Sequence, residues 1–226
     1  MSVTGISSMA TRQILAELAA AHEEATGETV AIESVGGVDA AKRIRAGEAF
    51  DVAVLASDAL AKLEADGFLV AGSIVNMAES PMALAVRAGQ PRPELDEAGV
   101  RAAMASARSI GISTGPSGTH VLKLARDWGL EDAVKDRIVQ AKPGIPVAKL
   151  LADGEVELGF QQLSEMMGAP GIDVVGPLPA SLQPGTVFAA GLCKAATQPE
   201  AARAFIAFLA SEETAETKHR HGMTPA

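Results

Sequence analysis

Residues 113–124 read STGPSGTHVLKL, and the first seven of them resemble the opening of a nucleotide-binding loop. Such a loop needs G-x-x-x-x-G-K-[ST], because its Lys neutralises the β and γ phosphates and its hydroxyl holds Mg²⁺. Counted from Gly115, the positions required for Gly, Lys and Ser or Thr hold His120, Val121 and Leu122, which excludes triphosphate chemistry. What remains is a Gly-rich turn entering a helix near Pro116 or Ser117, with Thr114 or Ser117 as its cap. A helix start offers unused backbone N–H groups and the positive end of the helix dipole, so it favours an anion, and neighbouring hydroxyls add donors. For one turn a plain helix cap is the simpler alternative. The pattern recurs, however: Ser7 and Ser8 in GISSMATRQIL, Gly36 and Gly37 in SVGGVDAAKRI, and Ser57 in LASDALAKL. Four such turns on the edges of open sheets predict an anion-sized cleft.

The elements that must position these turns alternate along nearly the whole chain. SVTGI predicts a strand, followed by a helix over about residues 9–25 in which Ile14, Leu15 and Leu18 share a face and Gly27 supplies a stop. TVAIESV alternates as a strand, a helix runs from Asp39 to Ala46, and FDVAVLA is the continuous apolar run of a buried parallel strand. The second half repeats this grammar, with a helix over 117–128 and strands at SIGIST, VELGFQQ, IDVVGPL and GTVFAAGLC. The order predicts the α/β class, with open, mostly parallel sheets covered by helices on both faces.

Composition narrows the partners. Lys and Arg total 19 against 28 Asp and Glu, a net charge of −9, which argues against nucleic acid and anionic membranes. The basic stretch Lys42, Arg43 and Arg45 reads as a solvated helix face. Aromatic residues make up 3% of the chain and Tyr is absent, so stacking on bases or sugars is not expected. Cys193 is the only cysteine, in an apolar run that predicts an inert buried thiol. His219 and His221 lack partners at metal-ligand spacing, Met166 and Met167 read as core or interface, and no nucleophile elbow suggests a hydrolase; neither cofactor nor metal is expected. No stretch is long and apolar enough for a membrane span, and the N-terminus lacks an export signal's pattern. The chain as it stands therefore reads as cytoplasmic, with a periplasmic mature form as the alternative.

GISSMA, the segment ESVGGVDAAKRIRAGEAFDVAVLASDALAKLEADG, GEVELGFQQLSE and the closing FIAFLASEETAETKHRHGM together resemble the type II solute-binding proteins, in particular their molybdate-binding branch. The resemblance covers the chain nearly end to end. It implies two α/β lobes, 1–80 with 194–226 and 81–193, joined by crossover strands at Pro81–Arg87 and Thr186–Cys193. It also implies a ligand bound between the lobes by Ser7, Ser8, Gly37 and Ser57 on one side and Thr114, Ser117, Gly118 and Thr119 on the other, with a hinge that closes. If exported, such a monomer would deliver its anion to an ABC permease.

Two departures shift the expected ligand. Molybdate binders usually place a hydroxyl in the second turn and a Tyr in the far lobe, whereas this chain has Gly36-Gly37 and no Tyr. His120, Gln161, Gln162 and Glu165 near strand ends instead suit a larger organic acid. SMATRQIL and GFQQLSE are similar to relatives of aconitate isomerase, which implies a shift of a proton and a double bond in a tricarboxylate. That reaction needs one group to remove a proton and another to return one. His120 and Glu165 are the candidates, against the plainer alternatives of a capping histidine and an exposed helix residue. Arg12 and Arg87 are candidate partners of substrate carboxylates, with surface ion pairing as their alternative.

Overall fold

The computed structural model describes residues 2–226. The chain divides into two units, Met1–Ser80 with Thr186–Ala226, and Pro81–Gly185. In the first, β1 (Ser2–Ser8) passes through a 3-10 turn at Met9–Thr11 into α1 (Arg12–Thr26). Then come β2 (Thr29–Val35), α2 (Gly37–Arg45), β3 (Val52–Ala56), α3 (Ser57–Ala65) and β4 (Val75–Ser80). The second unit runs β5 (Met82–Arg87), α4 (Glu97–Ser106), β6 (Ile110–Ile112), α5 (Pro116–Asp127), α6 (Glu131–Val134) and β7 (Ile138–Gln140). It continues with α7 (Val147–Ala152), β8 (Leu158–Gln162), α8 (Leu163–Met166) and β9 (Ile172–Pro177). The chain then returns to the first unit with β10 (Thr186–Leu192), α9 (Pro199–Ala210), α10 (Ala215–Arg220) and β11 (Thr224–Pro225).

Each unit is a sheet with an apolar layer on both faces. In β3 the side chains of Val52 and Val54 enter the layer of α1 and α9, while Ala53 and Leu55 enter that of α2 and α3. That two-sided burial is why this strand reads as an unbroken apolar run. In the second unit Leu84 and Val86 of β5 pack with α4 and α5, and Ala83 and Ala85 with α7. Gly27, in the left-handed region at φ 74°, ends α1 as its sequence position predicts.

The α/β class holds, and most strands in each sheet point the same way, with β10 and β11 reversed in the first and β5 in the second. The strand orders are β11-β4-β10-β3-β1-β2 and β7-β6-β8-β5-β9. Only β3-β1-β2 and β7-β6-β8 are parallel neighbours; β10 and β5 run antiparallel to the strands beside them. The physical reason lies in the connections: parallel neighbours need a crossover helix, and within the first unit the chain departs along β4 and returns along β10 with none between. Residues 186–193, expected in the second lobe, therefore belong to the first sheet, and the chain crosses between units at Pro81 and Gly185. Strand β4 has no counterpart in the sequence reading, because its exposed Val75, Asn76 and Glu79 hide the strand pattern.

Strand pairing places the crossings. Ser80 pairs with Thr186 and Phe188 pairs with Ala56, the last residue of β3. Met82 pairs with Gln162, the last residue of β8, and Ala83 with Pro177, the last of β9. In each unit the chain enters and leaves at the edge where the parallel strands end and their helices begin. At that edge the Gln183 amide replaces a strand: its Oε1 accepts from Met82 N (2.9 Å), and its Nε2 donates to the carbonyls of Met82 (3.0 Å) and Leu178 (2.8 Å).

Candidate functional site

In the first unit the parallel order β3-β1-β2 brings the starts of α3, α1 and α2 to one edge. Ser7 and Ser8 close β1 and are buried. Ser7 Oγ lies 2.7 Å from Ser34 Oγ, and Thr11 Oγ1 donates to the Ser8 carbonyl at 3.1 Å. Gly37 opens α2 beside Ser8, and Ser57 opens α3 half-buried. The α2 and α3 starts are capped by Gly36 and Ala56, neither of which supplies a side-chain hydrogen bond. By contrast α4, which starts after a loop, is capped by Asp96, whose carboxylate accepts from Gly99 N at 2.7 Å. Helix starts rich in small residues and hydroxyls but without side-chain acceptors are suited to an acceptor from outside the chain.

The second unit repeats the arrangement at the ends of β7, β6 and β8. Helix α5 begins at Pro116, one of the two starts the sequence offers, but its cap is Gly115, which has no side-chain bond, rather than Thr114 or Ser117. Ser117 is buried with its Oγ 2.9 Å from Ser113 Oγ, and Ser113 Oγ accepts from Gly115 N at 3.1 Å. Thr119 is exposed and its hydroxyl donates back to the Gly115 carbonyl at 3.4 Å. Gly118 has a packing reason, since a Cβ there would lie 1.9 Å from the Ser113 carbonyl oxygen.

His120, in the second turn of α5, has Nε2 2.7 Å from the Leu182 carbonyl oxygen. A carbonyl only accepts, so Nε2 carries the proton and exchange with a ligand falls to Nδ1. Gln161 is buried and used at both ends: Oε1 accepts from Val147 N (2.8 Å) and Nε2 donates to Glu165 Oε2 (2.6 Å). It therefore supports Glu165 rather than standing ready for a ligand. Glu165 lies in α8, directly after β8, and β8 is the parallel neighbour of β6. His120 and Glu165 thus follow adjacent strands at one edge.

Arg87 is not brought to this set. It ends β5, which runs antiparallel to β8, so it lies at the opposite edge, near Gly154 beyond the end of α7. Arg12 is exposed in the first turn of α1, at the donor edge. Cys193 is buried, and burial with the nearby Asp51 charge pushes its thiol up to about 12, so it is no nucleophile. His221 Nε2 sits 2.8 Å from Glu17 Oε2, and no metal-holding cluster occurs among the described residues. Nor is any of their helices long and apolar enough to cross a membrane.

Two hydroxyls at these edges escaped the sequence reading. Ser34 faces Ser7 through strand register, and Ser113 lies next to the selected Thr114 without any local pattern to mark it. At Gly37 a Cβ would meet only Ser8 Cβ, at an ordinary 3.7 Å, and φ is not positive. Gly37→Ser is therefore expected to keep the wild-type melting temperature, and a lower one would show that the α2 start does not tolerate a side chain.

Residues 3–224 match the family model described as bacterial extracellular solute-binding protein. An aconitate isomerase from Pseudomonas sp. is 33% identical over 232 residues, covering 99% of this chain and 88% of that protein. Among solved structures, the periplasmic molybdate-binding protein of Azotobacter vinelandii is similar at a TM-score of 0.83 and 23% identity, over 98% of each chain. The periplasmic binding protein AgtB of A. tumefaciens R10, in complex with agropinic acid, is similar at 0.75 and 16% identity, over 100% of this chain and 83% of its own.

Proposed function

The chain belongs to the bacterial extracellular solute-binding protein family, and from that premise we propose that it binds a small di- or tricarboxylate through its strand-end donors. The observation that carries this reading is the set of helix starts, α2, α3 and α5, that lack side-chain caps and sit among hydroxyls. Neutral N–H and O–H donors aimed from several turns stabilise negative charge with no need for a buried cation. The carboxylate is preferred over a tetrahedral oxoanion because the second turn offers glycine in place of a hydroxyl and the chain has no Tyr.

On the same ligand we propose aconitate-type isomerisation, supported by the 33% identical relative whose alignment spans 99% of this chain. His120 and Glu165 would handle the proton. A second reading, a receptor that hands its anion to an ABC permease without catalysis, is favoured by the family itself, and it would place the mature protein outside the inner membrane.

A thermal-shift panel of cis- and trans-aconitate, citrate, molybdate, tungstate and sulfate tests the ligand. A true ligand at a hundred times its dissociation constant adds about 2.7 kcal/mol. Stabilisation by molybdate alone at micromolar concentration would overturn the carboxylate preference, and stabilisation by none would end the anion reading. Proton NMR of either aconitate isomer then separates isomerase from receptor. Neither Ser57 nor Thr114 has a side-chain hydrogen-bond partner among the described residues. Ser57→Ala and Thr114→Ala are therefore expected to leave the unliganded melting temperature unchanged while weakening the ligand about tenfold each. Unchanged affinity in either variant would remove that residue from the site.

A further inference from the structure

Gln161 and Glu165 form a pair whose direction is set by the backbone. Gln161 is 2% exposed and lies in β8, and its Oε1 accepts from Val147 N, the first residue of α7, at 2.8 Å. A backbone N–H can only donate, so the oxygen of the amide must face Val147 and the NH₂ must face away from it. That NH₂ meets Glu165 Oε2 at 2.6 Å, so this oxygen is an acceptor. The helix start thus dictates that one oxygen of Glu165 carries no proton. His120 is oriented the other way, its Nε2 held as a donor to the Leu182 carbonyl at 2.7 Å.

We propose that Gln161 is a positioning residue that holds Glu165 as the base of the reaction, and that His120 is the group that returns the proton. The inference rests on the isomerase reading and deepens it. In this scheme the C–H bond of the saturated carbon breaks, and its proton goes to the Glu165 carboxylate. The electron pair left behind shifts the double bond by one carbon. A new C–H bond forms at the far carbon with the proton from Nδ1 of the His120 imidazolium. Nothing is oxidised or reduced, and solvent resets both groups.

Gln161→Glu separates positioning from simple support of the fold, because the new carboxyl still accepts from Val147 N but replaces the neutral amide donor with a group that competes with Glu165 for one proton. Gln161→Ala removes both bonds. The experiment follows interconversion of cis- and trans-aconitate, and exchange of solvent deuterium into them, by NMR. Melting temperatures with and without ligand are recorded alongside. We expect Gln161→Glu, which sets a like charge against Glu165, to lower the melting temperature and move the pH profile of kcat upward, with KM within about threefold and with kcat and deuterium exchange at neutral pH down roughly thirtyfold. Gln161→Ala should lose stability as well as kcat, and Glu165→Gln should abolish exchange with binding retained. Wild-type exchange in Gln161→Glu overturns the proposal with the isomerase reading intact. A wild-type protein that neither interconverts nor exchanges aconitate overturns that reading itself, and this proposal with it.

Discussion

Asp51→Ala is expected to lower stability by about 3–5 kcal/mol, the cost of removing a buried carboxylate that satisfies several donors. Asp51 is 1% exposed. Its Oδ2 accepts from Thr4 N (2.8 Å) and Thr4 Oγ1 (2.9 Å), and its Oδ1 from Thr197 N (2.6 Å) and Gln198 N (2.9 Å). One side chain therefore ties β1 to the residues that open α9, on the far side of the sequence. Burial pushes its carboxyl up, but the backbone and hydroxyl donors outweigh burial and hold it below the usual aspartate range. The sign of the pH effect follows. A depressed folded value contributes stability that is complete above the unfolded value, near 4, and that fades as pH falls through the lower folded value. Asp51→Asn keeps one acceptor oxygen but turns its NH₂ toward donors, so it should lose about half as much stability and all of this acid dependence. Urea unfolding at pH 7 and at pH 3.5 measures both. A wild-type protein and Asp51→Asn with the same change between the two pH values would show that this carboxylate is not what acid attacks.

Gly118→Ala is expected to damage the second unit's donor edge more than any loss of a hydroxyl. The added Cβ would stand 1.9 Å from the carbonyl oxygen of Ser113, a backbone atom that cannot swing aside. Helix α5 must retreat from the end of β6, which pulls Ser117 Oγ from Ser113 Oγ and turns the first N–H groups off their line. Overpacking of this kind costs about 3 kcal/mol, and on the proposed function a displaced oriented donor set should weaken the proposed ligand roughly a hundredfold. The matched control is Gly115→Ala, where the nearest atom is Ser113 Oγ at 3.6 Å and φ is −90°. That variant should stay within about 1 kcal/mol of wild type, since a compatible Gly→Ala change is near neutral. Calorimetry of the two variants with and without ligand decides the matter. A Gly118→Ala protein as stable and as tight as wild type would mean that α5 is not anchored by this close approach.

Many local signals were legible where the chemistry was local. Gly27 stops α1 at positive φ, as a helix stop requires. Ser7, Ser8, Ser57, Thr114 and Ser117 could be selected because strand-to-helix turns show their small and hydroxyl residues within a few positions. The α5 cap was misread at that same scale, because Thr114, Gly115 and Ser117 all suit a helix start and only backbone geometry chooses Gly115.

Arg87 shows where reading along the chain fails. As a basic residue at a strand end it has the right chemistry, yet the end it occupies depends on the direction of β5 relative to β8. Strand direction is a pairing property, invisible in the strand's own letters. Gln161 fails in the opposite sense: its position near the edge was readable, but its two partners were not.

The sequence alone determined the α/β alternation, the small and hydroxyl residues at the helix starts, the acidic balance and the inertness expected of Cys193. These follow from residue type and spacing over a turn or two. Tertiary structure decided which donors meet and which edge each residue reaches. Ser7 finds Ser34 across 27 positions, Gln183 finds Met82 across 101, and Asp51 finds Thr197 across 146. Such partners are chosen by sheet order and register, and those are fixed only when the whole apolar core closes around the strands.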